Sequence, residues 1–134
     1  MKAHVAIVAL VLMAMAPWLV ACEEEPSAAE RAYLASFCEA LDDFSDRVVV
    51  TSSPDSVAGA FDALVVDLEA MAPPPSLHDF HAAFAGYVRE AAGQPREVAS
   101  REVPRPPSDV RSRLASIEHE VPGCRAPTPF EAGS

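Results

Sequence analysis

The stretch that decides the fold is AAERAYLASFCEALDDFSDRVV, residues 28–49. Its apolar side chains mostly recur at steps of three and four, which is the spacing of one face of an α-helix. They are Tyr33, Leu34, Phe37, Cys38, Leu41, Phe44 and Val48. The acidic residues on the other side are Glu39, Asp42, Asp43 and Asp46. The stretch therefore predicts an amphipathic first helix whose apolar face packs against the rest of the domain.

Further helices follow, separated by proline-rich breaks. Ser53 is suited to cap a second helix, with Pro54 in its first turn. The prolines at 73–75 end that helix. Ser76, with Asp79 three residues later, has the spacing of a capping box that opens a third helix.

The fourth helix is predicted after a loop at residues 93–107, with Ser108 as its cap. The sequence therefore predicts an all-α fold, a small antiparallel bundle of about four helices. The helical domain is assigned to residues 28–124, and residues 125–134 are expected to form a flexible tail that contains Phe130.

The N-terminal region has the layout of a secretory signal peptide. Lys2 supplies a positive start, residues 5–16 form an apolar run, and Pro17 breaks it. The next four residues, Leu19-Val20-Ala21-Cys22, resemble the lipobox of bacterial lipoproteins. The resemblance implies a lipoprotein signal peptide at residues 1–21, cleavage before Cys22, and acylation of Cys22 with fatty acids such as palmitate.

Two other interpretations of this region stay open. Residues 5–21 form an uncharged stretch of 17 residues, which is the lower limit of the ~17–25 residues that span a bilayer as a helix. An ordinary signal peptide cut at the same place would leave Cys22 as a free thiol. Lipidation is favoured because the cysteine directly follows Leu-Val-Ala and precedes an acidic stretch.

These assignments place the protein in the cell envelope, lipid-anchored to a bacterial membrane on its extracytoplasmic side. Residues 22–27 become the lipidated cysteine and a short acidic tether, at most ~17 Å long beyond the cysteine. After cleavage, nine arginines face 20 acidic residues, a formal net charge of −11. Such a charge argues against nucleic acid as a partner. The expected partners are the membrane, through the lipid, and an envelope protein.

With Cys22 lipidated, Cys38 and Cys124 remain as a pair, and an exported protein can keep a disulfide. The alternative is a reactive thiol at Cys38. Its neighbour Glu39 opposes the thiolate form, so the disulfide is favoured.

Metal ligands are the main chemical candidates in the domain. His78 and His81 lie one helical turn apart, and His119 is available from the last helix. The alternative is that the first two belong to a polar first turn and the third to a solvated face. No catalytic, haem-binding or phosphate-binding motif accompanies them, so we predict neither an enzyme nor a cofactor.

A looser similarity joins Phe37-Cys38, the prolines at 73–75 and Gly123-Cys124 to small bacterial lipoproteins of unknown role. It implies a helical domain closed by a disulfide. The predicted function is a non-catalytic binding or structural lipoprotein. The alternative is a small-ligand or metal carrier that uses His78, His81 and the bundle interior, although the aromatic side chains have the helical spacing of core residues.

Overall fold

The structure is a computed structural model, and it describes residues 24–50, 53–125 and 127–131. This part of the chain is all helical and contains no strand. Five α-helices form, and a turn of 3-10 helix lies before the third and after the fifth. They are α1 (Ala28–Val50), α2 (Pro54–Glu69), Pro75–Leu77, α3 (His78–Gly93), α4 (Pro95–Val98), α5 (Ser108–Ala115) and Glu118–Glu120. The all-α prediction is confirmed. The predicted signal peptide and lipobox lie outside the described residues.

Helix α1 begins with a capping box that the sequence analysis did not identify. The Ser27 hydroxyl accepts a hydrogen bond from the Glu30 backbone N–H at 3.1 Å. In return, Glu30 Oε2 accepts one from the Ser27 backbone N–H at 2.9 Å. Because both bonds satisfy backbone donors at the helix end, the chain has a fixed direction where it enters α1.

Helix α1 is the longest of the set, with 23 residues, or about 34 Å. Among the described helices, none combines the length and the apolar character needed to cross a bilayer.

The other predicted caps have different outcomes. Ser53 caps α2 as predicted, since its hydroxyl accepts from the Ser56 backbone N–H at 3.2 Å. The predicted Ser76–Asp79 capping box is wrong, because the Ser76 hydroxyl donates to Glu30 Oε1 at 2.7 Å instead. Ser108 is the first residue of α5, and Pro107 precedes it without a side-chain cap. A proline with extended backbone already directs the chain into the helix there.

The core is an aromatic cluster centred on Phe37, which has no exposed surface. Its ring centroid lies 5.0 Å from that of Phe84, 5.4 Å from Phe130 and 5.8 Å from Phe80. These separations lie in the range in which aromatic rings attract one another beyond simple burial. The aromatic side chains therefore form the core, the use that their helical spacing favoured.

The last segment of the chain does not run antiparallel to α1. Its contacts with α1 pair Glu30 with Arg113, Cys38 with Cys124 and Asp42 with Arg125. Both sequence numbers rise together along these contacts, so the two segments advance in the same direction. Residues 102–107, which form no helix and include three prolines, return the chain to the beginning of α1. An antiparallel four-helix bundle therefore does not describe this part of the fold.

The segment after Cys124 also differs from the expected flexible tail. Phe130 is fully buried and packs against Phe37 and Phe80. Its backbone N–H donates to the Thr128 hydroxyl at 3.3 Å, and that hydroxyl donates to the Glu118 carboxylate. Residues 128–130 therefore belong to the folded domain.

Candidate functional site

The disulfide between Cys38 and Cys124 joins α1 to the end of the last helical segment, as predicted. The two Cα atoms are 4.6 Å apart, and Cys38 is 1% exposed. Gly123 has a positive φ of 89°, a conformation that residues with a side chain rarely adopt. The glycine therefore allows the turn that brings Cys124 against α1.

A buried carboxylate lies beside this disulfide. An oxygen of Glu118 is within 4.8 Å of both sulfur atoms, and the residue is 8% exposed. Burial raises the pKa of Glu118, while the hydrogen bond from Thr128 opposes that shift. In the described part of the chain, this is the one group of three potential metal ligands within such a distance. Both cysteines are oxidised in the disulfide, so the group contains no thiolate that could bind a metal.

The three histidines proposed as metal ligands are not brought together. His78 and His119 have side chains that are 73% and 74% exposed, each beside a neighbouring carboxylate. His81 is half-buried, and its Nδ1 lies 2.9 Å from the Tyr33 hydroxyl. No group of three ligands containing any of them occurs among the described residues. The predicted metal site is therefore not assembled.

His81 has a structural role instead, because its ring joins α3 to α1. Burial lowers the pKa of His81, although a hydrogen bond to the backbone of Leu68 in α2 acts in the opposite direction. Burial also raises the pKa of Tyr33. Both shifts favour the neutral forms of the two side chains, which suit a hydrogen bond in the interior.

The strongest polar assembly is one that sequence analysis missed. We call it the Glu30 cluster, and it consists of Ser27, Glu30, Ser76 and Arg113. Arg113 Nη2 and the Ser76 hydroxyl both donate to Glu30 Oε1, at 2.8 Å and 2.7 Å. Glu30 is 4% exposed and thus connects α1, the 3-10 turn before α3, and α5 at one buried carboxylate.

The Glu30 cluster also contacts the acidic segment that was predicted to be a tether. Arg113 Nη1 lies 3.6 Å from a Glu24 carboxylate oxygen and 3.9 Å from one of Asp109. Residues 24–26 border an open depression of about 780 Å³ on the surface of α5. The described part of the tether therefore lies against the domain. The only sequence signal for this cluster is the Ser27-x-x-Glu30 spacing directly before an apolar run.

A second depression, of about 640 Å³, lies between α1 and the C-terminal part of α2. Small side chains such as Ala29, Ala32 and Ser36 form its α1 side, and the carboxylates of Glu39 and Asp67 lie at its border. It is an open surface groove, and Tyr33 is the aromatic residue among those that line it.

The Glu30 carboxylate predicts a loss of stability in acid. The hydrogen bond from Arg113 is the largest cause that lowers the pKa of Glu30, from 4.5 to about 2. Because the folded state lowers this pKa, the stabilisation is complete above pH 4.5 and is lost as the pH falls towards 2. We expect Glu30→Gln to lower the free energy of unfolding by about 3 kcal/mol at pH 7.

Urea unfolding followed by circular dichroism from pH 7 to pH 2 measures this effect. The difference between Glu30→Gln and the parent chain should shrink as the pH falls, and Asp62→Asn, at an exposed position on α2, should give no such difference. A difference that stays constant with pH contradicts the assignment.

These features define a small all-helical domain closed by one disulfide, with its buried ionisable groups engaged in contacts between helices. Comparisons of the chain with protein-family models, with curated proteins and with solved structures find no match.

Proposed function

We propose that this protein is a lipid-anchored lipoprotein of the bacterial cell envelope with a non-catalytic binding or structural function. The observation that carries the proposal is the sequence Leu19-Val20-Ala21-Cys22 at the end of an apolar N-terminal run. A thioether-linked diacylglycerol at Cys22, with a further acyl chain on its amino group, supplies the two or more chains that stable anchoring needs.

The interior of the domain supports a non-catalytic function. Glu30, Glu118 and His81 are buried or half-buried, and each makes a hydrogen bond to a side chain from another segment. Among the described residues, every fully buried side-chain nitrogen or oxygen has a hydrogen-bond partner. Groups held in this way stabilise the fold, whereas a catalytic group has to face a substrate.

The surface charge supports a protein partner rather than insertion of the domain into lipid. Without residues 1–21, the chain carries nine arginines and 20 acidic residues. An acidic domain is repelled by anionic headgroups, so the lipid alone holds it to the membrane. The exposed acidic surface is then available to other proteins of the envelope.

Metabolic labelling with palmitate tests the proposal. We expect the full chain, expressed in a bacterium, to incorporate label and to sediment with membranes. Cys22→Ser should lose both properties, whereas Cys124→Ser removes a cysteine outside the lipobox and should keep the label. An unlabelled parent chain, or label that persists in Cys22→Ser, overturns the proposal.

A further inference from the structure

We propose that the Glu30 cluster fixes the lipidated segment to the domain, so that one particular end of the domain faces the bilayer surface. This inference rests on the lipid anchor proposed above. It adds the identity of the membrane-facing end, which the lipobox alone does not give.

The membrane-facing end is the one where α1 begins. Glu30 near the start of α1 meets Ser76, just before α3, and Arg113 of α5. Ala29 of α1 and Ala72, just after α2, both line the groove between α1 and α2. Four segments of the chain therefore lie at this end, namely the start of α1, the residues after α2, the turn before α3, and α5. The chain enters the domain at the same end.

The path of the chain into this end is held at successive residues. Ser27 is fixed by the two hydrogen bonds of the capping box. Pro26, which is half-buried, has a backbone φ restricted by its ring. Glu24 then lies 3.6 Å from Arg113, whose side chain is only 13% exposed. Glu24 itself is 83% exposed, so its ion pair with Arg113 is weak by itself. The capping box and Pro26 therefore supply most of the constraint.

Little free chain remains between the lipid and this fixed segment. Glu24 is two residues after Cys22, and two extended residues span about 7 Å. The end of the domain that contains the Glu30 cluster is therefore held next to the headgroups. A flexible linker would instead allow any face of the domain to meet the bilayer.

The other end of the domain is directed away from the membrane. Val50 ends α1 about 34 Å from its first residue, and its side chain is 80% exposed. Asp79, at the start of α3, belongs to the membrane-facing end and is fully exposed. These two positions provide probes for the two ends.

Energy transfer to the bilayer surface measures the orientation. The full chain is expressed with Asp79→Cys or Val50→Cys, purified from membranes, labelled with a donor dye, and inserted in phosphatidylethanolamine–phosphatidylglycerol vesicles that contain acceptor-labelled headgroups. Since the two ends are separated by about 34 Å, we expect transfer from position 79 to exceed that from position 50 at least about twofold.

A lengthened tether provides the matched control. A Gly/Ser insertion of about 12 residues between Glu25 and Pro26 gives a root-mean-square reach of about 20 Å, so the difference between the two positions should fall by at least half. Pro26→Gly combined with Ser27→Ala weakens the constraint without changing the length, and should reduce the difference in the same direction.

Intact-mass measurement on the same samples separates the two proposals. If the lipid mass is present but the two positions give equal transfer, or if the insertion leaves their difference unchanged, the fixed orientation is overturned and the lipid anchor stands. If the lipid mass is absent, both proposals fail.

Discussion

Removal of the Cys38–Cys124 disulfide should lower the free energy of unfolding by about 4–5 kcal/mol. The bond joins residues 86 positions apart, and closing a loop of that length removes much conformational freedom from the unfolded chain. For a domain of this size, the melting temperature should fall on the order of 20 °C. Cys38 is buried at the centre of α1, so a replacement also loses packing there.

The double variant Cys38→Ala with Cys124→Ala measures this effect in thermal and urea unfolding of the purified protein. Val66→Ala, which shortens a side chain that is 64% exposed, should change stability by less than about 0.5 kcal/mol. If the double variant is as stable as Val66→Ala, the disulfide does not restrict the conformations of the unfolded chain. Helix packing alone then stabilises the fold.

Replacing Phe130 by alanine should cost about 3–5 kcal/mol. Its ring has no exposed surface and lies 5.4 Å from that of Phe37 and 5.5 Å from that of Phe80, measured between centroids. The loss leaves a cavity in the core, because its neighbours Phe37 on α1 and Phe80 on α3 relax only in part. A flexible tail, in contrast, would tolerate the change.

Urea unfolding compares Phe130→Ala with Phe130→Leu, which restores most of the apolar volume and should recover more than half of the lost stability. Hydrogen exchange at the Phe130 backbone N–H provides a local measurement, since that group donates to Thr128. If Phe130→Ala unfolds at the same urea concentration as the parent chain, the packing described for residues 128–130 is wrong.

The helices were predictable because burial imposes a period on the sequence. In α1, α2 and α3 the apolar residues repeat at three and four, and the prolines and Ser53 mark the breaks. The disulfide followed from the number of cysteines once Cys22 was assigned to lipid. Both inferences use local or countable features of the chain.

The burial of Phe130 was not predictable in the same way. It lies in a segment without helical spacing, where a single aromatic residue after two prolines gives no period. Its burial depends on contacts with Phe37 and Phe80, which are distant in sequence. The direction of the last segment was not predicted for a related reason. The length of a loop does not determine the position or the direction in which the next helix begins.

The Glu30 cluster shows that a side chain can have the spacing of one motif and make a different contact. Ser76 with Asp79 has capping-box spacing, yet the hydroxyl bonds Glu30 because that carboxylate lies within reach in three dimensions. The histidines show the limit of helical spacing. It placed His78 and His81 on one side of α3, but no third ligand joins them among the described residues. Spacing predicts which residues are neighbours on one helix, and contacts between helices decide what they do.

The distance in sequence between the two cysteines also governs how the chain can mature. Synthesis proceeds at about 5–20 residues per second, so Cys124 is made on the order of 4–17 seconds after Cys38. During that interval the first three helices can form, but the aromatic face of Phe37 has no Phe130 to cover it. Until residues 128–130 are present, an incomplete chain therefore exposes aromatic surface that the completed fold buries.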